Sequence, residues 1–369
     1  MSISTLGTLF QFIGGLGMFL YGMESMADGL QKFAGNRLQR VLEILTSNRL
    51  LGVLVGAGVT AIIQSSSATT VMVVGFVNAG IINLLQATGI IMGANIGTTV
   101  TSWIVSMSEW GEVLKPEFFA PVLFGIGAFI TMFAKSHKKK EGAEVLIGFA
   151  LLFIGLSFMS GSIEPYRDAP IFSESFRVLG QNPLLGILVG LAVTAIIQSS
   201  SASVGILQML AINGMVNWQS AVFITLGQNI GTCVTALLSS VGANKNARRA
   251  AMVHLYFNII GVSIFLFGFY GLNAVCHFAF VNTTIEAWGI AIVHSVFNIL
   301  ATVILLPFAT GLEKLAILTI PDSPEKEEFA LLDDRLLNTP AVAVERARAA
   351  TAEMAELARV GVVQAMSLT

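Results

Sequence analysis

The sequence predicts an all-α integral membrane protein made of two inverted-topology repeats, each with a re-entrant helical hairpin, plus one additional transmembrane helix. Three observations predict it: composition, an internal duplication and the placement of basic residues. Of 369 residues, 54% are hydrophobic and only 11% are charged, and the mean hydropathy is +0.79. That is more apolar surface than a water-soluble core can hide.

A membrane span needs about 20 mostly apolar residues. Seven segments qualify, at 8–31, 85–107, 118–134, 143–163, 219–241, 250–273 and 285–311. The first has no basic n-region and no small-residue cleavage site, so it is expected to be a retained helix rather than a signal peptide. Cys233 and Cys276 show no partner pattern and are expected to be small apolar fillers. The net charge of −2 averages a membrane part with an acidic tail and so says nothing about nucleic acid, which is not among the expected partners.

Sliding the chain along itself lays NRLLGVLVGAGVTAIIQSSSATT (48–70) over NPLLGILVGLAVTAIIQSSSASV (182–204) without a gap. At the same offset MGANIGTTVT (92–101) falls on LGQNIGTCVT (226–235), Gly80 on Gly214, and Asn83 on Asn217. A fainter match relates FLYGMESM (19–26) to LFIGLSFM (152–159). Paired repeats of this kind are a signature of secondary transporters, whose sites sit at the repeat interface.

The stretches around QSSS, 50–80 and 184–214, are too long for one span and too short for two spans and a turn. Charge placement decides how they lie. If each is a hairpin returning to its own side, three basic groups share one face: Lys32, Arg37, Arg40 and Arg49; Lys135, Lys138, Lys139 and Lys140; and Lys245, Arg248 and Arg249. By the positive-inside tendency that face is cytoplasmic. Each repeat then crosses three times, so the second is upside down. This gives repeat 1 at 1–135, repeat 2 at 142–273 and the additional span at 284–311, with an external N-terminus. Residues 321–339 read as an acidic linker, and from about 340 an amphipathic pattern predicts a soluble helix on the cytoplasmic side.

Irregular backbone at membrane depth is tolerated only where it is covered or lines a cavity, so the QSSS tips predict a site. Free N–H groups at a helix start, with the positive dipole end, attract anions. Ser65, Ser66, Ser67, Ser199, Ser200 and Ser201 add hydroxyl donors, enough to surround one tetrahedral oxyanion. Neutral oxygens suit Na⁺. Gln64 and Gln198 can supply them, as can Asn95, Thr98 and Thr101 and their copies Asn229, Thr232 and Thr235. A lone SSS would more simply be a packing motif; two matched copies, each followed by NIGT, favour a site. Glu24 and Asp28 rank lower as ion-path candidates, and His254 and His294 are expected to be buried and satisfied. GxSxG, HExxH, CxxC and Walker sequences are absent, leaving hydrolase, zinc and ATP-driven readings without support.

The paired QSSS motifs, trailed by GANIGTTVT and GQNIGTCVT, closely resemble those of the type II sodium/phosphate cotransporter family over residues 5–315. The resemblance implies Na⁺-driven phosphate import by alternating access at a cell inner (plasma) membrane, not enzymatic activity, with sodium ions as coupling ions and no other cofactor. It implies that both QSSS tips bind phosphate, and that Thr232 and Thr235, with Gln198 and Ser199, resemble the family's Na⁺ site. Cys233 departs from the family's usual hydroxyl. Residues 325–369 resemble the start of a PhoU-like helical domain, which adds regulatory contacts or a homo-oligomer to the expected partners, beside phosphate, sodium and lipid. The rival readings are a phosphate sensor signalling through the cytoplasmic tail and a transporter of another oxyanion.

Overall fold

The computed structural model describes residues 3–34, 49–110, 115–321 and 340–366. Arg37, Arg40 and nearly all of the expected acidic linker lie outside them. Among the described residues seven helical segments are long and apolar enough to cross a membrane: 6–33, 84–109, 116–133, 137–166, 218–239, 245–276 and 287–319. Each overlaps one of the seven expected from sequence, and the protein is a helical multi-pass membrane protein.

Helix α1 (Ile3–Ala34) is followed by α2 (Arg49–Ile63) and α3 (Ser66–Asn78), which are separated only by Gln64 and Ser65. Next come α4 (Leu84–Gly97) and α5 (Thr99–Ser106), then α6 (Pro116–Phe133) and α7 (His137–Ile163). The second half opens with α7 and, after α8 (Pro170–Gln181), follows the same plan: α9 (Pro183–Ile197), α10 (Ser200–Ile212), α11 (Trp218–Ser239) and α12 (Lys245–Cys276). Helix α13 (Ala287–Leu305) runs through a 3₁₀ turn into α14 (Ala309–Thr319), and α15 spans Pro340–Met366.

The duplicated residues do the same local work in both halves. Gly80 and Gly214 adopt φ of 67° and 69°, a left-handed conformation that ends α3 and α10 without a Cβ penalty. Asn83 then caps α4 by accepting from the Gln86 N–H at 2.9 Å, and Asn217 caps α11 by accepting from the Ser220 N–H at 2.8 Å. The expected single span over 85–107 differs in one detail. It tightens at Thr98, where Thr101 N–H donates to the Thr98 carbonyl, while its copy α11 is continuous.

Packing is backbone to backbone, as helices in lipid require when water supplies no driving force between them. Helix α2 lies against α4 and α9 against α11. A Cβ on Gly56 would collide with the Ile90 carbonyl, and one on Gly190, the copy of Gly56, with the Ile224 carbonyl, the copy of Ile90. The first helices of the two halves, α1 and α7, also pack along their lengths. Gly15 faces Gly155 and Met159, Gly22 faces Gly148 and Leu152, and Gly29 faces Glu141 and Val145. Numbers rise along one helix as they fall along the other, so the two run antiparallel.

Candidate functional site

Each QSSS segment is a helix stop followed by a helix start. Gln64 ends α2 with its N–H bonded to the Thr60 carbonyl and its backbone left-handed at φ 58°; Gln198 does the same after α9, bonded to Thr194, at φ 57°. A left-handed residue turns the chain out of the helix. The next residue is extended and caps the new helix: Ser65 accepts from the Ala68 N–H at 3.1 Å and Ser199 from the Ala202 N–H at 3.2 Å. Capping uses an oxygen lone pair and leaves each hydroxyl hydrogen available. The N–H groups of the first turns of α3 and α10 have no acceptor within their own helices.

The two tips meet. All eight QSSS residues line one cavity of about 430 Å³, together with Glu24 and Asp28 of α1. Donors therefore converge from two helix starts: serine hydroxyls, first-turn N–H groups and two positive dipole ends. This is the chemistry of an oxyanion pocket, and a cavity of that size leaves room for a small ion with several waters. Glu24 and Asp28, which rank low from sequence, stand on its wall.

The NIGT residues do not line the cavity, and only those of the first half brace its tips from behind. In the first half Thr101 donates to Gln64 Oε1 at 2.9 Å, Thr98 donates to the Ser66 hydroxyl at 3.3 Å, and Thr60 donates to Thr69 at 3.0 Å. Ser201, from the second tip, donates to the Thr101 hydroxyl at 3.3 Å. In the second half Thr232 bonds back to the Gln228 carbonyl, the hydroxyls of Thr235 and Thr194 are buried without hydrogen-bond partners, and Gln198 is exposed. The structure thus joins Gln64, Ser66, Thr98, Thr101 and Ser201, and does not join Gln198 to Thr232 or Thr235.

Asn95 and Asn229 are both 3% exposed, and each accepts a hydrogen bond from another asparagine: Asn258 of α12 to Asn95 at 3.3 Å, and Asn298 of α13 to Asn229 at 3.1 Å. Neither Asn258 nor Asn298 is among the residues that the sequence singles out. A signal exists, since VHLYFNI (253–259) recurs further along the chain as VHSVFNI (293–299), outside the register of the main duplication. The histidines of that motif part company. His294 Nδ1 lies 2.9 Å from the Ser102 hydroxyl, whereas both ring nitrogens of His254 are buried without a partner, contrary to expectation. The residue matching Ser102 in the second half is Ala236, which offers no hydrogen bond. Cys233 is a buried free thiol within reach of Asn258, and Cys276 is exposed. Among the described residues no cluster of three His, Cys, Asp or Glu could hold a metal ion.

A family model described as Na⁺/Pi-cotransporter matches residues 18–161 and 170–306. The chain is 29% identical to the uncharacterised protein YqeW of Bacillus subtilis (strain 168) over 303 residues, 82% of this chain and 95% of that one. It is 27% identical over 353 residues to YjbB of Escherichia coli (strain K12), provisionally named an inorganic phosphate export protein; the match covers 92% of this chain and 61% of that one. Over 109 residues, 29% of the chain, it is 34% identical to the human sodium-dependent phosphate transport protein 2B, of which that stretch is 16%. No solved structure matches.

Proposed function

Since the chain belongs to the Na⁺/Pi-cotransporter family, we propose that it is a secondary transporter that moves inorganic phosphate together with Na⁺ through the cavity between Gln64–Ser67 and Gln198–Ser201. The observation that carries this reading is the convergence of both tips on one pocket. Phosphate is held by the serine hydroxyls and the first-turn N–H groups of α3 and α10. Na⁺ takes neutral oxygens of the tips and of the residues behind them: Gln64, Asn95, Thr98 and Thr101 on one side, and Gln198, Ser199, Asn229, Thr232 and Thr235 on the other.

We further infer that the two halves are inverted repeats and that α2–α3 and α9–α10 are re-entrant hairpins entering from opposite faces. The antiparallel α1–α7 pair supports this. By the repeat, Gly15 corresponds to Gly148 and Gly22 to Gly155, so the contact of Gly15 with Gly155 and that of Gly22 with Gly148 exchange under the same two-fold operation. The unequal bonding of the two tips supports alternating access, with one tip braced while the other is released. The positive-inside argument places the N-terminus outside and α15 in the cytoplasm.

Direction is open to a second reading, since YjbB is named for export. Import is the reading kept here, because the Na⁺ gradient of a cell membrane points inward. The test is radiolabelled phosphate flux in proteoliposomes with an imposed Na⁺ gradient. Uptake driven by inward Na⁺ supports coupled import. Flux indifferent to Na⁺ overturns the coupling, and flux only against the Na⁺ gradient supports export.

A further inference from the structure

The cavity between the two tips combines groups that attract an anion with groups that repel one. Ser200, 5% exposed, lines it, and the Ser200 hydroxyl has no hydrogen-bond partner among the described residues. An unpaired buried hydroxyl where two helix starts converge points to a ligand. Yet the same wall holds two carboxylates, Glu24 and Asp28, and among the described residues no lysine, arginine or histidine. Neither carboxylate makes a salt bridge or hydrogen bond within the described chain. Lys32, the one base of α1, lies outside the lining and is paired with Glu144 of α7 at 2.9 Å. Glu24 is the deeper of the two carboxylates. Phe19 packs on Gly205, five residues along α10 from Ser200, and Glu24 stands five residues along α1 from Phe19. Both steps lead from that contact toward the cavity, which brings Glu24 level with the start of α10, while Asp28 is one turn further out.

An oxyanion and a carboxylate in one pocket repel unless a hydrogen or a cation stands between them. Phosphate brings its own hydrogen. At neutral pH it keeps one or two acidic hydrogens, and an ionised carboxylate can only accept. The O–H···O⁻ bond between them is of the strong, charge-assisted kind. Sulfate has the same tetrahedral shape and no hydrogen to give. Serine hydroxyls and N–H groups donate to either ion, so the tips alone do not tell the two apart. A fixed acceptor does.

We propose that Glu24 is the specificity-determining residue of this cavity: its carboxylate accepts a hydrogen bond from the hydroxyl of a protonated phosphate and turns away oxyanions that carry no hydrogen. The hydrogen stays on the phosphate oxygen, so the carboxylate is unchanged when the ion moves on. The inference rests on the reading of the QSSS cavity as the phosphate site and adds the acceptor that the tips lack.

The test is displacement of radiolabelled phosphate from the purified full chain, at neutral pH and saturating Na⁺, by unlabelled phosphate, arsenate and sulfate. Arsenate shares the acidic hydrogens of phosphate, and sulfate lacks them. The parent chain should prefer phosphate to sulfate by about 100-fold or more, since a site built around a hydrogen bond rejects the analogue that cannot make it. Glu24→Gln keeps the shape and removes the charge. It should lower the phosphate-to-sulfate ratio by about 10-fold or more and leave the phosphate-to-arsenate ratio within about two-fold of the parent's. Because Glu24 is exposed, the unfolding midpoint of this variant should match the parent's, which reports an intact fold. Glu24→Asp keeps a carboxylate and should still exclude sulfate, and Asp28→Asn should change the ratio less than Glu24→Gln does. An unchanged ratio in Glu24→Gln overturns the proposal, as does a ratio that changes only in Asp28→Asn, or a Glu24→Asp variant that takes sulfate as readily as Glu24→Gln. A Glu24→Gln variant whose sole defect is a higher Na⁺ concentration for half-maximal phosphate binding overturns it too, and makes the carboxylate a cation ligand. A parent chain that binds phosphate without preferring it to sulfate removes this inference alone. A parent chain that binds no phosphate removes the phosphate reading and the inference with it.

Discussion

The Thr101 hydroxyl donates to Gln64 Oε1 at 2.9 Å, and the same threonine oxygen accepts from Ser201 of the other tip at 3.3 Å. One residue behind the cavity therefore ties both QSSS segments. The hydroxyl of its copy Thr235 is buried with no partner, and the copy of Gln64, Gln198, is exposed. A sequence repeated almost letter for letter is thus held in two different states of bonding.

Thr101→Val should destabilise the protein while Thr235→Val should not. The first leaves a buried glutamine oxygen without its donor, at a cost of about 1–3 kcal/mol; the second removes a hydroxyl that already lacks a partner. Thermal unfolding in detergent, followed by a thiol-reactive dye reaching buried Cys233 in a Cys276→Ser background, gives the comparison. Equal midpoints for the two variants would contradict it.

Gln64→Ala and Gln198→Ala should separate stability from transport. Gln64 is 7% exposed and its side chain bonds to both Thr101 and the Ala61 carbonyl, so its loss lowers the unfolding midpoint. Gln198 is exposed on the cavity wall, so its loss leaves the midpoint in place and reduces phosphate uptake.

Ser66→Ala and Ser200→Ala each remove one hydroxyl from the start of α3 or α10. A hydrogen bond to a charged group contributes about 1.5–3 kcal/mol, so phosphate affinity should fall by roughly 10- to 100-fold. Phosphate binding measured by isothermal titration at saturating Na⁺ checks this. Full affinity in both variants would move the anion site away from the tips.

Gly22→Val should disrupt the membrane bundle and Gly14→Val should not. At Gly22 any Cβ runs into the backbone of Leu152, whereas at Gly14 nothing lies within 4 Å. Backbone cannot repack as a side chain can, so the first substitution costs at least the about 1–3 kcal/mol typical of overpacking. Monodispersity and unfolding midpoint of the two variants in detergent provide the test.

Much of this arrangement is legible in the sequence because it is written in local rules. Long apolar runs fix the spans through bilayer thickness. Gly80 and Gly214, with Asn83 and Asn217, mark helix stops and starts through backbone and capping chemistry that needs no distant partner. The QSSS tips stand out for the same reason, as hydroxyl-rich breaks in apolar segments. Glu24 and Asp28 rank low because proximity to an expected membrane boundary is all the sequence offers; that they face the tips depends on how α1 lies against the rest. Asn258 and Asn298 escape notice because a single amide in an apolar helix carries no local signal, and their motif recurs outside the register that relates the two halves.

The sequence by itself determined the membrane class, the seven spans, the duplication and the two polar tips, because hydropathy, periodicity and identity are properties of the chain read in order. Only the tertiary structure decided that the tips share one cavity, that Thr101 braces both while Thr235 braces neither, and that each NIGT asparagine meets a partner from α12 or α13. Identical segments have identical propensities, but hydrogen bonds across helices depend on where the surrounding helices place their partners. Two copies of one motif can therefore fold alike and still be held differently.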